Sequence, residues 1–187
     1  MKLNKIMMAA VLAFSATSMM ANAAVKDQGH GTVTFKGAIT EAPCSITPES
    51  VDQTVNLGQI SNVVLKDGGN STPKNFQIKL ENCEVSAGSG TPVVGKNNAI
   101  SITFSGASSV SDSTLLGITG TAKGAGIAIT DGSGSLIELG KASSAQTLSN
   151  GGNTLSFSAY LKGSIDKDAV VVPGEFQSVA DFTLAYQ

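Results

Sequence analysis

The chain of 187 residues is poor in the side chains on which most enzymes depend. It has one histidine, His30, together with two cysteines and no tryptophan. A Ser-His-Asp triad would have to be built on His30, which stands between glycines near the start of the chain, where ordering is usually poor. A structural metal site needs about four ligands. The sequence therefore predicts no catalytic residue, no metal site and no cofactor.

Few flat aromatic rings are available to hold a sugar. The tyrosines are Tyr160 and Tyr186, and tryptophan is absent. A glycosidase carboxylate pair could still be present among the scattered acids, because such a pair is defined in space and leaves no sequence mark. The composition nevertheless disfavours both a glycosidase and a lectin.

Charge is also scarce and carries no basic run. Twelve Lys and Arg residues against 14 Asp and Glu give a formal net charge of −2. A mildly acidic chain of this kind argues against nucleic acid as a partner.

The one apolar run is short and stands at the amino terminus. Lys2 and Lys5 precede apolar residues 6–14, and the segment ends in Ala21-Asn22-Ala23. This order is typical of a secretory signal peptide over residues 1–23. A membrane anchor is the alternative, but the run is interrupted well short of the roughly 18 residues that a spanning helix requires. Removal of Lys2 and Lys5 would leave an exported chain of charge −4, of a size suited to one domain.

Cys44 and Cys83 are the only cysteines. One pair of cysteines in an exported domain indicates a disulfide, since export leads to an oxidising compartment. Two free buried thiols, or a zinc pair, are the alternatives.

Most of the remaining chain alternates apolar and polar residues, the period-2 pattern of half-buried strands. A turn of sequence Asp131-Gly132-Ser133-Gly134 separates two apolar runs and predicts a hairpin. Short helical turns are expected only at 61–66 and around 112–116. About seven strands with glycine-rich connections predict an all-β sandwich. The predicted strands lie in segments 33–39, 55–57, 76–83, 100–104, 127–139, 155–161 and 180–186.

The two ends of this strand series are informative. One alternating strand opens the exported chain, and another ends at the last residue but one. The uncovered edge of a strand is a template for a strand of another chain.

Five sequence elements occur in order along the exported chain. They are GTVTFKG at 31–37, APC at 42–44, VDQTVNLGQ at 51–59, FQIKLENC at 76–83 and ADFTLAYQ at 180–187, with Gly174 the fourteenth residue from the end and Tyr186 next to last. In these elements the sequence resembles the major pilins of chaperone–usher fimbriae, of the type 1 and P-pilus kind, over essentially the whole exported chain. The overall pattern resembles rod subunits of P-pilus-like, mannose-resistant fimbriae.

The resemblance implies an incomplete immunoglobulin-like β-sandwich over residues 40–187, completed in trans by donor-strand complementation. Residues 24–39 would be the donor-strand extension, presenting Gly31, Val33, Phe35, Gly37 and Ile39. The receiving groove would involve Gly174 and the closing strand, through Phe182, Leu184 and Tyr186.

The implied partners are identical subunits in a head-to-tail polymer, a periplasmic chaperone and an outer-membrane usher. The implied function is that of a non-enzymatic rod subunit of a surface fimbrium that supports adhesion.

Three alternatives stay open at this point. Residues 33–39 could instead be an ordinary first strand of the chain's own sheet. The chain could be a minor adaptor or a tip subunit with a sugar-binding role, or else a periplasmic β-sandwich enzyme.

Overall fold

The computed structural model describes residues 29–85, 98–166 and 169–187. The chain divides into two compact units, Met1–Ile39 and Thr40–Gln187. In the first unit, residues 29–39 form neither helix nor strand, and their side chains are exposed. The predicted signal peptide lies outside the described residues.

The regular elements of the second unit are mostly strands. A short helix, α1 (Pro48–Val51), and a 3-10 helix, Asn62–Gly68, lie between its first two strands. Of the eleven strands in the described residues, four have seven or more residues. The strands are β1 (Ser45–Ile46), β2 (Lys74–Cys83), β3 (Ala99–Ser105), β4 (Leu116–Gly117), β5 (Thr119–Gly120), β6 (Ala125–Asp131), β7 (Leu136–Ile137), β8 (Gln146–Thr147), β9 (Gly151–Gly163), β10 (Phe176–Gln177) and β11 (Asp181–Tyr186).

Three antiparallel sheets result. The largest has the order β1-β2-β9-β6-β4, with β7 also paired to β6. A second sheet has the order β11-β3-β8, and β10 pairs with β5. Strand β9 therefore has a partner on each side, whereas β11 has one partner among the described residues and ends its sheet there.

The core lies between the two larger sheets and centres on three phenylalanines. The Phe157 ring centroid is 5.5 Å from those of Phe76 and Phe104, and Phe157 is 1% exposed. Phe76 and Phe157 belong to the large sheet and Phe104 to the β11-β3-β8 sheet, so the three rings join the two layers. Cys44 and Cys83 form the expected disulfide at one end of this core.

Most of the sequence predictions for single elements are confirmed. The segments at 76–83, 100–104, 155–161 and 180–186 are strands, β6 and β7 form the predicted hairpin, and a helical turn occurs near 61–66.

Other predictions were wrong. Residues 55–57 form no strand, because the described chain places no pairing strand beside them. Residues 112–116 contain no helix, since Asp112 instead caps a turn by accepting the Thr114 N–H. The two-residue strands other than β7 are too short to show an alternating pattern, and the four residues of α1 are too few to show a helical one. These elements were therefore not predicted. No helix among the described residues is long and apolar enough to cross a membrane.

Candidate strand-docking groove

Within residues 29–85, 98–166 and 169–187, no strand pairs with one edge of β11. The pairing register of β11 identifies the backbone groups that point to this open edge. Ala99 and Gln187 exchange both backbone hydrogen bonds, at 3.2 and 2.9 Å. In an antiparallel ladder such pairs alternate with pairs that make no mutual bonds. Tyr186, Leu184 and Phe182, which stand opposite Ile100, Ile102 and Phe104, are therefore the residues whose N–H and C=O groups face the open edge.

The outer edge of β3 supports the same alternation. Phe104 C=O accepts from Gly140 N–H at 2.8 Å, and Ile102 C=O accepts from Ser143 N–H at 2.8 Å. These groups face away from β11, as the register requires. In the part of the chain that the structure describes, the β11-β3-β8 sheet is thus covered beyond β3 and open beyond β11.

The same three β11 residues also carry the inward-facing side chains. Phe182, Leu184 and Tyr186 are half-buried and pack against the core, while their neighbours on the strand are exposed. Burial raises the pKa of the Tyr186 hydroxyl by withdrawing it from water. The open edge therefore combines unpaired backbone with an apolar face.

A second length of unpaired backbone runs through residues 54–60. Within the part of the chain that the structure describes, Gly58 N–H is the only backbone group of this segment that makes a hydrogen bond, to Asn56 Oδ1 at 2.8 Å. Val55, Leu57 and Ile60 are half-buried. This segment is called the wall segment below.

A groove of about 1450 Å³ lies between the wall segment and the chain from Val171 to Phe182. Its floor is apolar and comes from both sheets. The floor residues include Phe76, Ile78, Phe104, Ile127, Ile129 and Leu161. Phe182 and Gly174 are among the lining residues, whereas Leu184 and Tyr186 lie further along the same face of β11.

Gly174 lets the chain pass close to the segment before β6. A Cβ at this position would lie 2.6 Å from the Ala122 backbone nitrogen and would also collide with Thr121 Oγ1. Glu175 N–H donates to that Thr121 hydroxyl, and Glu175 C=O accepts from Thr121 N–H at 3.0 Å. Close approach, and not a left-handed φ, is therefore what requires glycine here.

The charged side chains that line the groove are mostly acidic. Asp52, Glu175 and Asp181 are exposed at its rim, and Lys123 is the basic lining residue. The apolar floor and the acidic rim suit an occupant with apolar side chains on one face and positive charge on the other.

The predicted donor residues are exposed in residues 29–39. Val33, Phe35 and Ile39 are 77%, 90% and 105% exposed, and Gly31 and Gly37 lie on the same alternation. Three large apolar side chains exposed within seven residues are typical of an interaction segment, a role that stays a prediction here. Sequence reasoning interpreted the alternation of Val55 and Leu57 as a strand and did not identify the unpaired wall segment.

No metal site is apparent in the described residues, which contain no group of three or more His, Cys, Asp or Glu able to hold an ion. The arrangement is suited to binding an extended strand through backbone hydrogen bonds and apolar contacts.

Two antiparallel sheets around one core, with an uncovered strand where a complete domain would carry a further one, define an incomplete immunoglobulin-like β-sandwich. The chain belongs to the fimbrial protein family, whose profile matches residues 33–187.

Full-length relatives have similar sequences. The chain is 57% identical over 187 residues to the Fimbria A protein of Serratia marcescens, and the match covers all of both chains. It is 48% identical over 187 residues to the Major MR/P fimbria protein of Proteus mirabilis strain HI4320, again over all of both chains.

Solved structures agree with the fold. The P pilus rod subunit PapA superposes with a TM-score of 0.67 at 35% identity, covering 78% of this chain and 100% of that one. A chaperone–usher pilus structure that addresses rod uncoiling superposes with a TM-score of 0.74 at 36% identity, covering 86% of this chain and 97% of that one.

Proposed function

We propose that this chain is a structural, non-enzymatic subunit of a surface fimbrium, which polymerises by lending residues 33–39 to the groove of another copy. The observation that carries the proposal is the uncovered β11 edge above an apolar groove, in a chain whose 33–39 segment alternates and is exposed. The relatives named above support it, because they are fimbria proteins matched along their whole length.

The donor segment fits the groove in length and in pattern. Seven extended residues span about 23 Å, and the six residues of β11 span about 20 Å. Val33, Phe35, Gly37 and Ile39 would face the apolar floor, while Lys36 would face out toward the acidic rim.

The backbone of the docked strand would be satisfied on two sides. Phe182, Leu184 and Tyr186 offer N–H and C=O groups on one side, and the unpaired wall segment offers them on the other. Each main-chain hydrogen bond is worth about 0.5–1.5 kcal/mol net. An inserted strand would thus become an inner strand of the sandwich, as in other cases of β-augmentation.

The donor and the groove are different surfaces, so the contact is head-to-tail. A head-to-tail contact that does not close produces a filament. A chain of this kind would extend from copy to copy and would form a rod.

Before assembly the groove would be open to water, and we infer that a periplasmic chaperone covers it. An outer-membrane usher would then exchange the chaperone for the next subunit's strand. Export of the chain, directed by the signal peptide predicted at 1–23, would place Cys44 and Cys83 in the compartment where their disulfide forms. The full-length match to the Major MR/P fimbria protein favours a shaft subunit over an adaptor or a sugar-binding tip subunit.

Deletion of residues 24–39 tests the proposal. The shortened chain should be recovered from the periplasm, because the sandwich begins beyond this segment, but it should add no further subunit to a filament. If the deletion instead unfolds the sandwich, residues 33–39 are an internal strand and the proposal is wrong.

Gly37→Leu sharpens the test, with Ala38→Leu as its matched control. A leucine side chain at position 37 would enter the groove, where overpacking costs about 1–3 kcal/mol, whereas a leucine side chain at position 38 would point out of it. Electron microscopy should show shorter filaments for Gly37→Leu alone, at equal subunit yield. Equal filament lengths for the two variants would contradict the assigned donor face.

A further inference from the structure

The edge of β2 shows how the wall segment is kept apart from the large sheet. Strand β1 pairs Ser45 with Glu81 and Ile46 with Leu80. In the same register a longer β1 would bring Glu49 opposite Gln77. It would continue along β2, and the wall segment would be drawn onto the large sheet.

The chain instead leaves the sheet at Thr47. Thr47 N–H still donates to Lys79 C=O at 3.0 Å, but Thr47 C=O accepts from Ser50 N–H at 2.8 Å and not from β2. Pro48, at the start of α1, has no N–H to offer a strand. The residues that would have extended β1 are therefore taken up by α1.

Two side chains then occupy the vacated edge of β2. Ser50 Oγ accepts the Lys79 N–H at 2.9 Å and is itself bonded to Thr47 Oγ1 at 3.1 Å. Gln53 Nε2 donates to Gln77 C=O at 3.2 Å and reaches Ser50 C=O at 3.5 Å. Ser50 is 3% exposed, so its bond is shielded from water, whereas Gln53 is exposed.

We propose that Ser50 and Gln53 are positioning residues for strand docking. They satisfy the β2 edge with side chains, so that the backbone of the wall segment stays unpaired and available to the incoming strand. The inference rests on the proposed function, because it assigns these residues a part in donor-strand binding.

The argument is one of competition for the same backbone groups. A β2 edge without these two side chains would offer Lys79 N–H and Gln77 C=O to the nearest free backbone. The nearest free backbone is the wall segment, which begins directly after Gln53. Gln53 therefore lies where its side chain keeps the wall segment from pairing with β2 and leaves that backbone free for the incoming strand.

The test uses Gln53→Met, which keeps the length of the side chain and removes its donor. Gln59→Met is the matched control, since Gln59 lies on the same wall and its side-chain amide makes no hydrogen bond among the described residues. The probe is a synthetic peptide of residues 29–40, added in large excess to the full chain. Affinity and amide hydrogen exchange are measured for each variant.

In the wild type and in Gln59→Met, the peptide should slow exchange both in β11 and in residues 54–60. In Gln53→Met, the peptide should still protect β11 but should protect residues 54–60 less, with affinity lower by about tenfold, the equivalent of one well-made hydrogen bond. The unfolding midpoint without peptide should be unchanged, which separates positioning from a general loss of stability.

Two outcomes overturn the inference, and they are distinguishable. If Gln53→Met and Gln59→Met bind the peptide equally, the positioning role is wrong while the proposed function stands. If the peptide protects neither β11 nor the wall segment in the wild type, the proposed function itself fails, and the positioning role fails with it. Ser50→Ala gives a second test, in which loss of wall protection with retained β11 protection supports the proposal and unchanged protection opposes it.

Discussion

Strands β9 and β11 carry the same sequence pattern but have very different surroundings. Leu155, Phe157, Ala159 and Leu161 alternate along β9 and are 3%, 1%, 7% and 4% exposed. The alternating apolar residues of β11 remain half-buried. Alternation therefore predicts a strand with one apolar face, but it does not tell how completely that face is covered.

The difference comes from neighbours. Strand β9 pairs with β2 and β6, so its side chains are flanked on both sides as well as covered by the opposite sheet. Among the described residues, strand β11 pairs only with β3. Without a strand on its other side, β11 has a row of backbone groups and an apolar face that lack partners. The groove lies beside this open edge.

The largest expected effect on the free energy of unfolding is at β9, the strand that is paired on both sides. Phe157→Ala should lower it by about 3–5 kcal/mol, because the ring is buried between Phe76 and Phe104 and its loss leaves a cavity. Urea denaturation of the full chain measures the change. Phe35→Ala is the control, since Phe35 is 90% exposed, and it should stay within about 0.5 kcal/mol. Similar losses for the two variants would contradict the comparison.

The disulfide should come next. It links Cys44, just before β1, to Cys83 at the end of β2. Strand β11 contains no cysteine and so has no such link. Removing it by the double change Cys44→Ala and Cys83→Ala should lower the free energy of unfolding by about 2–4 kcal/mol. Mass spectrometry without reduction should show the two cysteine peptides linked in the wild type. Two alkylatable thiols in the exported protein would oppose the prediction.

Asp131, at the end of β6, should have a smaller effect that depends on pH. Its carboxylate accepts the Ser133 hydroxyl at 2.6 Å and the Ser133 and Ser135 N–H groups at 2.9 Å each, and these bonds lower its pKa although burial opposes them. Asp131→Ala should lower the free energy of unfolding by about 2 kcal/mol near neutral pH.

The sign of the pH dependence follows from that lowered pKa. The folded state binds the Asp131 proton less readily than the unfolded state, so this stabilisation is complete above the ordinary aspartate pKa of about 4 and is lost as pH falls through the lower folded value. Asp131→Ala should therefore lose less stability on acidification than the wild type. Urea denaturation of both chains at several pH values measures the difference; equal losses of stability on acidification would argue against Asp131 as the cause.

The smallest expected effect on the free energy of unfolding of the isolated chain is at β11. Phe182→Ala should cost only about 1–2 kcal/mol in unfolding, because the half-buried ring is not enclosed on the groove side. Its effect on docking should be larger, with affinity for the peptide of residues 29–40 reduced by tenfold or more. An unfolding loss equal to that of Phe157→Ala would mean that the groove is already closed in the single chain.

The sequence alone determined the all-β class, most of the longer strands, the hairpin at Asp131-Gly132-Ser133-Gly134 and the disulfide pair, because each depends on local pattern or on a single possible pairing. The family resemblance also pointed to Phe182 and Tyr186 through the pattern of the closing strand, a role that stays a prediction.

Only the tertiary structure decided which strands are covered. It also decided that residues 54–60 leave the large sheet, that Ser50 and Gln53 occupy the edge they leave, and that Gly174 is required by close approach to Ala122. These features depend on contacts between residues distant in sequence, such as Gln53 with Gln77 and Gly174 with Thr121. The local alternation of residues does not predict such contacts, because it depends only on neighbours in the sequence.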